Sequence, residues 1–200
     1  MKKFLFSVLP VAAIALLALK PVSDPLPIGA NLPNPSKMMK DISGKELSFK
    51  HTMKSNGLLV MFSCNTCPIV HKYESRTVAV ARHALANDVG VILLNPNEAY
   101  REKGDSYDDM KAYAAKLGYD FPYVVDENSE MADKFGATRT PECFLFDKMG
   151  KLVYHGAIDD NPNGASSATP YLTKAINSLV KGDKIDPEKT KSVGCTIKRN

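Results

Sequence analysis

The chain has 200 residues, enough for one domain with a substantial core, and 44% of them are hydrophobic. Its formal charge is +4, but three of those lysines (Lys2, Lys3, Lys20) stand in the first twenty residues, which leaves a near-neutral body of about +1 and no electrostatic case for nucleic acid. Four cysteines (Cys64, Cys67, Cys143, Cys195) are too few for a mini-protein that depends on disulfide staples.

Residues 1–23 open with "MKK" and an uncharged apolar run from Phe4 to Leu19, the layout of a secretory signal. The run falls short of the ~20 residues of a spanning helix and Pro10 interrupts it. Without a clean A-x-A site, retention of residues 4–19 as an uncleaved membrane tether stays open behind the signal reading, and either way the chain is read as exported, periplasmic or otherwise extracytoplasmic. Proline and turn formers make residues 24–36 a linker, and the domain is predicted over 37–200.

The domain begins with a hairpin across Ser43-Gly44-Lys45. "GLLVMFS" (57–63) is a continuous apolar run suited to a strand covered on both faces. Val70, Tyr73, Thr77, Val80, Ala81 and Ala84 then recur at helical spacing up to Asn87. A second buried strand (89–95) follows, then a helix over 105–118 capped by Asp105 or Ser106 and stopped by Gly118, and a third strand in "FPYVVD". After a short helix (129–136), "ECFLFD" and "KLVYHG" make an antiparallel hairpin, and a last helix covers 168–182. The tail has little periodicity. The order gives one α/β domain with parallel central strands and an antiparallel edge hairpin.

Cys64 falls at the carboxyl end of a buried strand and at the first turn of a helix, where open α/β sheets place their sites. Unpaired N–H groups and the helix dipole favour an anion there, so the Cys64 pKa is expected to lie below that of a free thiol. Cys67 turns back toward the same helix end, and Pro68 has no N–H to lose in that first turn. A structural zinc site would need a second cysteine or histidine pair at short spacing, and no histidine follows Cys67 for haem attachment. Cys143 is either a small core hydrophobe or a thiol near the site; Cys195 can bridge Cys143, resolve the pair from the tail, or stay free. His155 with Asp159 and Asp160 is weighed as a copper site, and Glu142 is read as a solvated acid.

Strand, C-x-x-C-P, long helix and "RTPECFLFD" before a hairpin resemble the thioredoxin superfamily. With "CNTCPIVHKY", "GATRTPECFLFD", "YHGAIDD" and the tail "SVGCTIK", the match narrows to the peroxiredoxin-like branch of the redoxins, within the alkyl hydroperoxide reductase and thiol specific antioxidant superfamily, over about residues 30–200. The resemblance implies a thioredoxin-like fold, with a mixed central sheet flanked by helices. It implies a cis Thr140-Pro141 bond opposite the cysteines and a tail that folds back near them. The chain departs from the pattern at Thr66 and Cys143, at Met61 where peroxiredoxins carry a hydroxyl, and at Ser63 where thioredoxin carries tryptophan; Arg139 is the candidate to polarise a peroxide.

Together these readings predict a thiol–disulfide oxidoreductase without added cofactor or metal. Cys64 attacks, Cys67 resolves, Thr140 and Pro141 present the partner, and Arg139, Cys143 and Cys195 are accessory. Its partners are disulfide- or thiol-bearing proteins, small thiols, and a protein that reduces or oxidises the pair. Thiol-dependent peroxidase is the second reading, and a copper-binding metallochaperone the third.

Overall fold

The computed structural model describes residues 24–164 and 168–200; the signal and tether expected in residues 1–23 lie outside them. A five-stranded sheet organises the fold. Its strands are β3 (Gly57–Phe62), β4 (Val89–Asn95), β5 (Tyr123–Val125), β7 (Glu142–Phe146) and β8 (Leu152–Gly156), in the order β5-β4-β3-β7-β8. β3, β4 and β5 run parallel, whereas β7 pairs antiparallel with β3, and β8 pairs antiparallel with β7 at the edge. The sheet is therefore mixed, as expected. The hairpin β1 (Met39–Lys40) and β2 (Glu46–Leu47) forms its own two-stranded sheet, and its turn bonds to the β5 edge, with the Ile42 amide donating to Tyr123 O.

Every residue of β3 is buried because the sheet is covered on both sides. Leu59 and Met61 face one core, with Tyr73, Val80 and Ala84 of α2 (Pro68–Ala86), Met110 and Ala114 of α3 (Tyr107–Leu117), and Leu172 and Ile176 of α5 (Tyr171–Lys181). Leu58, Val60 and Phe62 face the other, with Phe49 of α1 (Phe49–Thr52) and Met131 and Phe135 of α4 (Glu130–Phe135). Each such fully covered side chain contributes about 1.5–3 kcal/mol. The predicted face of α2 is the one that is buried.

Ser106 caps α3 in a reciprocal capping box with Asp109, and Gly118 ends the helix in the left-handed conformation that glycine tolerates best. α5 starts three residues later than predicted, at Tyr171, because Pro170 restricts the residue before it and sets the boundary. Among the described residues no helix is long and apolar enough to cross a membrane.

Residues 24–36, read as a linker into the domain, are tied to it: Leu26, Gly29 and Leu32 donate to the Phe135, Leu152 and Gly150 carbonyls, and Leu32 is in the core. The tail folds back near the site, as the resemblance implied. It crosses the end of the sheet as Thr190 N–H donates to His155 O, then pairs β9 (Cys195–Thr196) antiparallel with β6 (Arg139–Thr140), and buries Ile197. A β-carbon on Gly194 would overlap the Thr140 carbonyl, so this approach needs glycine.

Candidate active site

The carboxyl ends of β3 and β4 frame the site. The Ser63 amide donates to Leu94 O (2.9 Å) and extends the parallel ladder by one residue, after which the chain turns through Cys64–Cys67 into α2. Cys67 is the N-cap of that 19-residue helix, with Pro68 in its first turn. Across from it the Thr140–Pro141 peptide bond is cis. Thr140 touches both sulfurs: its hydroxyl lies 3.1 Å from Cys64 Sγ and its carbonyl oxygen 3.3 Å from Cys67 Sγ.

The sulfurs are not paired as a C-x-x-C disulfide. Cys67 is bonded to Cys195 on the tail, and Cys64 and Cys143 are free thiols. Of the bridge, sequence spacing leaves three complete pairings open; the β6–β9 register, which sets Thr140 opposite Cys195, brings the tail sulfur over the helix N-terminus.

The expectation of a lowered Cys64 pKa is overturned. Burial pushes the Cys64 thiol up; the Thr140 hydroxyl pulls it down, nearby Asp105 raises it, and the amides of Cys67 and Thr66 lower it without reversing the shift. The helix-end amides are present, but the cost of burying the thiolate outweighs them. Alkylation of Cys64 in the oxidised chain should therefore inflect above pH 9.0, the ordinary value for this thiol, and move to lower pH once the bridge is reduced and the tail displaced. Iodoacetamide rates against pH, read at Cys64 by peptide mapping, test this; an inflection below 9.0 in the oxidised chain contradicts it.

The residues between the cysteines are held from below by Asp105, whose surface is fully covered. Its Oδ1 accepts from the Asn65 amide (2.7 Å) and Asn95 Nδ2 (2.8 Å), and its Oδ2 from the Thr66 hydroxyl (2.7 Å) and Asn97 Nδ2 (3.0 Å). Tyr123 donates to Asn65 Oδ1 (3.0 Å), and His71 Nε2 lies 2.5 Å from Asn65 O. Asn97 also accepts the Lys198 amide through Oδ1 (3.0 Å), so one network joins the cysteine loop to the tail.

A second support lies beneath the cis-proline segment. Glu142 is 4% exposed. Its Oε2 accepts the amides of Thr138 (2.9 Å) and Arg139 (3.0 Å), and its Oε1 meets His155 Nε2 at 2.7 Å. It is thus not the solvated acid expected. Strand alternation does point it away from Cys143, but that face is covered too.

Other candidates separate from the site. Arg139 is exposed and donates to Gly194 O (3.4 Å) on the tail rather than reaching Cys64. Cys143 packs in the core with Met61 and Tyr154, where burial pushes its pKa far up, as befits a small hydrophobe. The histidine and acids weighed for copper have other partners: His155 pairs with Glu142, Asp159 with Arg76, and Asp160 accepts the Thr169 amide. Among the described residues, no three His, Cys, Asp or Glu side chains gather as a metal site.

Asp105 and Glu142 are the supports of the site that sequence reasoning missed: Asp105 read only as a helix-cap candidate, its loop partners lying 39 and 40 residues away, and Glu142 as a solvated acid beside the Thr140-Pro141 motif.

The family model described as "AhpC/TSA family" matches residues 28–155. No curated protein matches the chain. A solved uncharacterized conserved protein from Geobacillus kaustophilus is 31% identical, with a TM-score of 0.81 over 87% of this chain and 93% of its own. A hypothetical protein from Sinorhizobium meliloti 1021 is 28% identical, with a TM-score of 0.81 over 88% and 97%. A putative protein disulfide isomerase from Bacteroides thetaiotaomicron shares the thioredoxin-like fold at 16% identity, with a TM-score of 0.58 over 78% and 91%.

Proposed function

The chain belongs to the AhpC/TSA family, a thioredoxin-fold redox family, and from that premise we propose that it is a thiol–disulfide oxidoreductase acting on disulfides of proteins or small thiols. The observation that carries the reading is a free thiol, Cys64, beside a disulfide sulfur, Cys67, with both against the residue before a cis-proline.

With the tail withdrawn and the pair reduced, the Cys64 thiolate attacks one sulfur of the substrate disulfide. The other substrate sulfur leaves as a thiolate, and a mixed disulfide forms on Cys64. Cys67 then attacks Cys64 Sγ, closes a Cys64–Cys67 disulfide and expels the second substrate thiolate. The Thr140 hydroxyl stabilises charge on Cys64, the loop amides of Thr66 and Cys67 do the same, and the Thr140 backbone offers an edge to an extended partner. The oxidised pair then needs a thiol partner that restores it. The leader motif favours an exported enzyme, released or tethered through residues 4–19.

Exchange is favoured over peroxide reduction because Met61 is buried apolar core and Arg139 is directed to the tail. Insulin reduction by the full chain should fall at least a hundredfold in Cys64→Ser and in Cys67→Ser. Retention of turnover in Cys64→Ser, or peroxide consumption that outpaces disulfide exchange, overturns this reading.

A further inference from the structure

We propose that Cys195 is the port through which an external dithiol reduces the centre, a role that rests on the exchange reading above. In the closed chain Cys64 is fully covered and Cys67 is 2% exposed, whereas Cys195 is half-buried. A thiolate arriving from solvent therefore meets the bridge from the Cys195 side. The two flanks of that approach are open: Val193 is 44% exposed, and the exposed Arg139 places a positive charge beside Gly194 to receive an anionic sulfur.

The leaving group favours the same direction. Attack on Cys195 Sγ expels Cys67 as a thiolate at the N-terminus of α2, where unpaired amides and the helix dipole stabilise an anion. Attack on Cys67 would instead need a path through covered surface.

The electrons balance at each step. The donor thiolate forms a bond to Cys195 Sγ while the Cys67–Cys195 bond breaks, and the electron pair stays on Cys67. The donor's second thiolate, or a second donor molecule where the donor is a monothiol such as glutathione, then attacks the donor sulfur bonded to Cys195, releases Cys195 as a thiolate and leaves the donor as a disulfide. The centre has gained two electrons and the tail has lost its covalent anchor, so Cys64 and Cys67 can act on substrate. After they have closed as a Cys64–Cys67 disulfide, the Cys195 thiolate attacks Cys67 Sγ, frees the Cys64 thiolate and regenerates the bridge seen here. Cys195 is thus a third redox thiol, and the tail strand carries equivalents between the covered pair and solvent.

The oxidised full chain is mixed with glutathione, quenched in acid within the first turnover and mapped by mass spectrometry. The expected adduct is on Cys195; an adduct on Cys67 overturns the assignment. In Cys195→Ser, multiple-turnover insulin reduction fed by glutathione should fall at least tenfold, and a loss of less than twofold also overturns it. A single turnover of insulin by the pre-reduced wild-type chain separates the two readings. If that turnover is absent, the exchange function itself fails; if it is present with the adduct on Cys67, only the port falls.

Discussion

Asp105→Ala is expected to lower the unfolding free energy by about 3–5 kcal/mol, the range for breaking a buried charged network, and to cut insulin reduction by at least tenfold. The stability loss arises because the carboxylate accepts four hydrogen bonds in a place without solvent, from the Asn65 amide, the Thr66 hydroxyl and two asparagine side-chain amides. Truncation orphans all four donors at once. Asp105→Asn keeps the volume but turns an NH₂ group toward two donors, so it should recover only part of the loss. The activity loss has a separate cause. Asn65 and Thr66 set the turn that places Cys64 against the Thr140 hydroxyl and under the amides of Thr66 and Cys67. Urea titration gives the first quantity, and turnover at saturating and limiting insulin gives the second. A penalty under 1 kcal/mol would show that Asp105 does not hold the loop.

The contrast between what the residues announced and what they concealed follows from the range of the interactions. Periodicity, turn chemistry and apolar runs act within a few residues, and they placed the β3 strand and the buried face of α2 and narrowed the α3 cap to Asp105 or Ser106, of which Ser106 is the cap. Asp105 read as a helix cap because its carboxylate's targets, residues 65, 66, 95 and 97, are invisible to local pattern. The Cys67–Cys195 bridge spans 128 residues and depends on the pairing of two two-residue strands too short to carry an alternating signature. The shift of Cys64 escapes local pattern too, since helix-end donors can be located from sequence while the burial of the thiol cannot. Thr140 and Pro141 stood out through their motif. Glu142, the next residue, did not, because alternation says which way a side chain points and not whether that side is wet.

Glu142→Ala is expected to destabilise the chain by about 2–4 kcal/mol and to slow disulfide exchange by more than tenfold, with the two effects sharing one origin. The carboxylate is 4% exposed and is the acceptor for the amides of Thr138 and Arg139, the two residues leading into Thr140 and the cis bond. Each buried donor left without a partner costs about 1–3 kcal/mol, and His155 loses its 2.7 Å contact as well. The imidazole is stacked on Phe144, so it cannot swing far to recover one. Freed of these bonds, the 138–140 segment no longer fixes the Thr140 hydroxyl on Cys64, nor the Arg139–Thr140 edge on which β9 lies. The variant should thus show a raised inflection for Cys64 alkylation in its reduced form and a tail that is cut sooner by protease. A merely structural acid would change neither. Glu142→Gln retains one acceptor oxygen for the two amides and should recover most of the stability, with alkylation returning toward wild type. If Glu142→Ala unfolds at the wild-type urea midpoint, or leaves the Cys64 alkylation profile where it was, the carboxylate does not position the cis-proline segment.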